Sequence, residues 1–347
     1  MASPSILIVK LGAVGDCVHT LYALRALREH YPDARIGWVV ETKTSAVVDG
    51  HPDLDEVIVF PRKQISMSIK AGQWSEARRR LAAFRRELRA KKYDVAIDFQ
   101  NLFKSGLVTW FSGATTRIGF RKIREANFLF TNQRIDASNV SHAIEKYFAL
   151  LAPLGVRGIP GGVGMKIRDE DKVVADEYFK AHSLVGVPVV AVNPGASWVN
   201  KMLPAAEYAR AIDRLQDAGA KCVLIWGPGE ESLVVDVTND CETEPLVAPA
   251  TNLKELSYFL SRCAAYLGND SGPMHMAAMA GCAVVVPFGP SDPRRVGPWS
   301  DKGEPVTIDL PCRPCWRKTC FQPRRYCLDD ISGELLAENV SKLLELS

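Results

Sequence analysis

The stretch Ile6-Leu7-Ile8-Val9-Lys10-Leu11-Gly12-Ala13-Val14-Gly15-Asp16 reads as a strand, a glycine loop and the approach to a helix, and it decides the fold class. Four consecutive apolar residues, Ile6 to Val9, mark a strand buried on both faces of a parallel sheet. A helix is expected over about residues 18–30, ending ahead of Pro32. Short apolar runs recur at residues 36–40, 57–60 and 95–98, with helix-period segments between most of them. That alternation is the pattern of a doubly wound α/β domain.

The same pattern starts again near Val187, with strands expected at residues 189–193, 222–226, 266–267 and 283–288. The intervening helices are placed to begin near Pro204, Glu230, Leu253 and Pro273, and a last helix runs over residues 333–346. The glycine-rich residues 155–164 are the natural linker. The expected organisation is a domain over 1–165, a second over 166–330 and a C-terminal helical segment over 331–347. Two such domains facing one another leave a cleft between their strand ends, where open α/β sheets bind ligands.

Bulk composition narrows the function classes. Lys plus Arg total 43 against 40 acidic residues, so a net charge of +3 gives no reason to expect a nucleic-acid partner. The N-terminal residues lack a basic region, a long apolar core and a small-residue cleavage site, and no apolar run approaches the ~20 residues of a membrane span. A cytoplasmic protein is expected, touching membranes peripherally if at all.

Three strand-end loops carry the chemistry. In Lys10 to Asp16, Gly12 and Gly15 permit a tight turn, but Val18 stands where a dinucleotide fingerprint needs its third glycine. Asp16 suits a hydroxyl that must lose a proton, and equally suits capping of the helix. In Asn193-Pro194-Gly195-Ala196-Ser197-Trp198-Val199-Asn200-Lys201, Ser197 and Lys201 fit a diphosphate. In Gly268-Asn269-Asp270-Ser271-Gly272-Pro273-Met274-His275, a turn enters a helix whose N–H groups form an anion cradle. Glu230 and Glu231, after Gly227-Pro228-Gly229, are either ribose ligands or helix-start charges.

Together these segments resemble the bacterial ADP-heptose:lipopolysaccharide heptosyltransferases over nearly the whole chain. The resemblance also rests on Tyr93-Asp94 through Asp98 to Lys104-Ser105-Gly106 and on Phe288-Gly289-Pro290-Ser291-Asp292-Pro293, with Asp270 to His275 the most specific part. It implies the GT-B architecture, two Rossmann-like domains facing a central cleft, and inverting transfer without a catalytic metal. Asp16 would be the base and Lys201 would stand beside the diphosphate. Ser197, Glu231, Asp270, Ser271, Gly272 and His275 would hold the donor, ADP-heptose. Lys10, Gly15, Arg62, Lys63 and Lys104 would contact the acceptor, a Kdo-lipid A or an already heptosylated core lipid. The other reading is a GT-B enzyme using a different nucleotide sugar or a protein acceptor. One departure is Lys201-Met202-Leu203-Pro204, where the family often has Lys-Arg-Trp-Pro.

Two further features remain. Residues 62–92 are strongly basic, with Ala77, Leu81, Phe84 and Leu88 at helical spacing, so one helix face is core and the other cationic. That face is either simply solvated or contacts lipid phosphates at the cytoplasmic side of the inner membrane. Cys312, Cys315, Cys320 and Cys327 are crowded enough to be ligands of a structural zinc or iron, or else reduced loop cysteines.

Overall fold

The computed structural model describes residues 3–122 and 125–346. The chain divides into two compact units, Met1–Lys166 and Ile167–Ser347, with the boundary just past the glycine-rich residues 155–164.

In the first unit six strands, Ser5–Val9 (β1), Arg35–Glu41 (β2), Glu56–Phe60 (β3), Val95–Asp98 (β4), Thr116–Phe120 (β5) and Gln133–Ile135 (β6), form one sheet in the order β3-β2-β1-β4-β5-β6. Every pairing is parallel. Its helices are Val14–His30 (α1), Arg62–Lys70 (α2), Trp74–Ala90 (α3), Phe103–Phe111 (α4) and Ala143–Leu151 (α5). Leu7 and Val9 pack with Val39, Ile58, Phe84, Leu88 and Phe111 on one face of the sheet, while Ile6 and Ile8 are equally buried on the other. That two-sided burial is why β1 carries no polar alternation.

The second unit repeats the plan. Val189–Asn193 (β7), Lys221–Leu224 (β8), Leu246–Val247 (β9), Ala265–Gly268 (β10), Ala283–Pro287 (β11) and Gly303–Val306 (β12) form a parallel sheet in the order β12-β11-β10-β7-β8-β9. Its helices are Asp169–Ala181 (α6), Ala205–Asp217 (α7), Glu231–Asp240 (α8), Leu253–Ser261 (α9), Gly272–Ala280 (α10), Pro293–Val296 (α11), Tyr326–Asp329 (α12) and Gly333–Leu344 (α13). Helix α13 packs against α7 so closely that a Cβ on Gly333 would lie 2.1 Å from the Glu207 carbonyl oxygen. Among the described residues no helix is long and apolar enough to cross a membrane.

The structure departs from the sequence reading at particular places. Helix α1 starts at Val14, earlier than expected, with Ala13 as N-cap and no side-chain cap bond. No polar capping residue announces that start, and Asp16 sits inside the first turn, so it is not the cap. Strands β5, β6, β9 and β12 were not anticipated. All four are partly exposed; β5, β6 and β12 carry polar residues, as in Gln133-Arg134 or Glu304-Pro305, β9 is only Leu246-Val247, and β6, β9 and β12 lie at sheet edges where no continuous apolar run is needed.

Candidate active site

In each sheet the strand order reverses direction at a central pair, β1/β4 in the first unit and β7/β10 in the second. Loops at such switch points lie where open α/β sheets hold ligands. Each switch point carries a lysine–carboxylate pair.

At β1/β4, Lys10 follows the strand and is 2% exposed. Its ammonium meets the Tyr147 hydroxyl at 2.8 Å, the Phe99 carbonyl at 3.3 Å and Asp16 Oδ2 at 3.2 Å. The Tyr147 hydroxyl in turn donates to Asp16 Oδ1 at 3.3 Å. Burial alone would lower the Lys10 pKa, but the Asp16 charge and the Tyr147 hydroxyl outweigh it and the pKa ends raised. Burial, then the Asp16 charge, raise the Tyr147 pKa, so the hydroxyl stays protonated and able to donate. The loop is held by Trp38 Nε1 donating to the Lys10 carbonyl at 2.9 Å and by Gln100 Oε1 accepting from the Leu11 N–H at 2.7 Å. Of the ion pair, the Lys10 side chain is 3% exposed and that of Asp16 47%. The buried cation thus holds an accessible carboxylate at the head of α1.

The resemblance places Lys10 on the acceptor side; in the structure it has partners on three sides and almost no exposure, and it braces Asp16. Gly15 is likewise buried, in the first turn of α1. Arg62 and Lys104 come together on Glu41, at the end of β2, at 3.1 and 2.9 Å. Two cations on one carboxylate, with exposed Lys63 next in sequence, leave a surplus of positive charge at this rim. Within the run from Asp98 to Gly106, Asp98 is a structural anchor. Asp98 is fully buried and accepts from the N–H groups of Gln100 and Asn101, from Ser105 Oγ at 2.9 Å and from Asn127 Nδ2 at 2.6 Å.

At β7/β10, Lys201 Nζ lies 2.6 Å from Asp270 Oδ2, and Ser291 Oγ donates to the same oxygen. Here the exposures reverse, 14% for the lysine side chain and 6% for the aspartate. The ammonium also lies 4.9 Å from the centre of the Trp198 ring. Asn269, fully buried, donates to the Pro194 carbonyl at 2.8 Å and accepts from the Leu203 N–H at 3.0 Å, tying both loops to the Lys201 turn. Ser271 is the N-cap of α10 and makes no side-chain cap bond, so the first-turn N–H groups, with Gly272 the first helical residue, are open to an anion. His275 is buried in the same helix start, and Ser197 is exposed on the β7 loop.

The two acidic residues after β8 are placed differently. Glu231 is exposed on the first turn of α8. Glu230 instead accepts from the Gly227 N–H at 2.8 Å and lies over Gly195, where an added Cβ would come within 2.3 Å of its carboxylate. Glu230 is therefore the acid facing the β7 loop.

A family model, "Glycosyltransferase family 9 (heptosyltransferase)", matches residues 81–324. The chain belongs to this family. It is a glycosyltransferase, and its two Rossmann-like domains are those of the GT-B class. It is 28% identical over 326 residues, 92% of this chain and 88% of the relative, to lipopolysaccharide heptosyltransferase 1 of Pseudomonas aeruginosa. It is 26% identical over 352 residues to lipopolysaccharide heptosyltransferase 2 of Escherichia coli, covering 98% of each. A solved family 9 glycosyltransferase from Veillonella parvula superposes with a TM-score of 0.85 at 27% identity, covering 99% of this chain and 98% of that one.

The two switch points gather residues that the sequence does not single out. Tyr147 stands 131 positions from Asp16 on a helix whose buried face looked like ordinary core. Asn269 reads as a turn residue, and Glu41 as a solvated strand end. For the cysteine-rich segment the sequence leaves a structural metal site and reduced loop thiols both open, and among the described residues no three His, Cys, Asp or Glu side chains are gathered to hold a metal ion. All four cysteines are free thiols, Cys327 buried and the others half-buried, with Cys312, Cys315 and Cys320 near enough to act electrostatically on the Cys327 thiol. Arg325 donates to the carbonyls of Val199 and Met202 at 2.8 and 2.6 Å, and Asn200 donates to the Arg317 carbonyl at 2.8 Å. The segment clamps the turn that carries Lys201.

Proposed function

We propose that this transferase moves a heptose from ADP-heptose to the inner core of lipopolysaccharide with inversion, Asp16 acting as the general base. The observation that carries the reading is the opposed exposure of the two pairs, an accessible carboxylate on buried Lys10 and the more accessible Lys201 on buried Asp270. The names of the Pseudomonas and Escherichia coli relatives supply the substrate class. Asp16 takes the acceptor hydroxyl proton, the freed oxygen bonds the anomeric carbon, and the bond from that carbon to ADP breaks on the opposite face. The departing diphosphate gathers charge beside Lys201 and the α10 N-terminus at Ser271 and Gly272. Ser197 and His275 line the same subsite, and Glu230 takes the ribose hydroxyls. Arg62, Lys63 and Lys104 give an anionic acceptor its counter-charge. An acceptor embedded in lipid makes the enzyme a cytoplasmic protein that contacts the inner membrane peripherally.

The test is transfer from ADP-heptose to a panel of truncated core lipids, read by mass spectrometry, with UDP-sugars in parallel. Addition of one heptose to a single core acceptor, abolished by Asp16→Asn, is expected. Turnover of a UDP-sugar in preference to ADP-heptose overturns the donor, and full activity in Asp16→Asn overturns the base.

A further inference from the structure

Helix α3 carries six arginines and two glutamates, and the structure sorts them. Arg79 and Arg80 both pair with Glu76. Arg78, Arg85, Arg86 and Arg89 recur at steps of seven, one and three, are exposed, and have no carboxylate partner among the described residues. They rim an open groove of about 620 Å3 whose floor is Leu81, Ala82 and Phe111. Arg85 lies over the rings of Trp110 and Phe111, at 4.9 and 5.7 Å, which fixes its guanidinium at the lip. Trp110 itself is 42% exposed.

A cluster of unpaired guanidiniums is a phosphate-recognition feature, since each offers a planar fork of donors. The apolar floor and the aromatic lip narrow the choice of phosphate. A free phosphate gains nothing from them, whereas a lipid headgroup brings glycerol and acyl carbons alongside its charge. Exposed apolar side chains continue along the neighbouring elements, with Met67 and Ile69 on α2 and Trp74 at the start of α3. Helix α3 joins parallel strands β3 and β4, so it runs back from the strand-end rim. Arg85, Arg86 and Arg89 therefore lie toward the edge of the sheet opposite Asp16.

We infer that the α3–α4 groove is a binding site for the phosphate headgroups of anionic membrane lipids, separate from the acceptor subsite at Asp16. This rests on the proposal that the enzyme works at a membrane, and deepens it by naming the contact.

The test is co-sedimentation of the full chain with phosphatidylcholine vesicles, with and without phosphatidylglycerol. Wild type is expected to bind only the anionic vesicles, and to release at high salt. Arg85→Glu with Arg89→Glu should weaken that binding by at least about tenfold, while Arg79→Glu with Arg80→Glu leaves most of it. Trp110→Ala should weaken it less than the double arginine reversal. Transfer to a soluble, delipidated acceptor should be unchanged in all of these, which also shows that they fold. Failure of wild type to bind anionic vesicles overturns the membrane reading itself. Normal binding by the Arg85/Arg89 variant overturns the groove alone, and equal loss in both double variants shows that only net helix charge matters. Displacement by millimolar inorganic phosphate at constant ionic strength, or preference for RNA over vesicles, overturns the lipid assignment.

Discussion

The two lysine–carboxylate pairs are chemically alike and structurally inverted. Both sit at the switch point of a six-stranded parallel sheet. In the first unit the lysine is buried and the carboxylate exposed, and in the second the carboxylate is the more buried partner. Burial decides which member is a tool and which is a support. A buried ion is costly unless paired, so each hidden partner stays because it fixes and charges the other. The first pair thereby presents an accessible carboxylate, and the second the more accessible lysine. The inversion extends to their neighbours, since Tyr147 can donate only to Asp16 while Ser291 is spent on hidden Asp270.

The largest expected effect is loss of the exposed carboxylate. Asp16→Asn keeps the shape and a hydrogen-bonding group but cannot accept the proton, and kcat should fall by about 10²–10⁴-fold with donor affinity unchanged. Pre-steady-state transfer together with donor binding by calorimetry checks both halves. Parallel loss of donor binding would mean that Asp16 does not belong to the acceptor side.

Next comes Lys201→Met, expected to cost about 10²–10³-fold in kcat through lost stabilisation of the departing diphosphate. It should also lower Tm, because Asp270 is left charged and buried. Adding Asp270→Asn to make the double variant should restore Tm but not kcat. Recovery of activity along with stability would show Lys201 to be only a support for Asp270, and the proposed inversion of roles would be wrong.

How much of this was readable beforehand follows the same division. Strands β1, β4, β7, β10 and β11 announce themselves because burial on both faces demands unbroken apolar residues, and Asp16, Lys201 and Asp270 follow three of them. Asp16, Lys201 and Asp270 were therefore visible as strand-end residues. What supports them was not. Tyr147 reaches Asp16 from α5, and Ser291 reaches Asp270 from the loop after β11, so each contact depends on packing that no local spacing encodes. The burial of Lys10 is hidden for a related reason, because nothing local to a loop lysine encodes the surroundings that enclose it. The cysteines show the same limit: their closeness in sequence fits a ligand set or reduced loop thiols alike, and the bonds that tie their segment to the Lys201 turn are not encoded in that spacing.

A smaller effect tests the support around the base. Tyr147→Phe removes one long hydrogen bond to Asp16 and one partner of Lys10 while keeping the ring. A fall in kcat of roughly 5- to 10-fold is expected, in line with one weakened charge-assisted bond, with donor KM unchanged. Unaltered kcat with a lowered Tm would reduce Tyr147 to packing.

The smallest contrast lies between neighbours after β8. Glu230→Gln should raise donor KM by several-fold, about the worth of one charge-assisted hydrogen bond to a ribose hydroxyl. Glu231→Gln should change neither KM nor kcat beyond error, because its carboxylate is on the exposed face of α8. Comparing ADP-heptose with its 2′-deoxyribose analogue sharpens the point. Wild type should discriminate between the two donors, and Glu230→Gln should lose that discrimination. If Glu231→Gln loses it instead, then α8 reorients when donor binds, and the loop geometry at Gly195 and Glu230 describes the unliganded unit only.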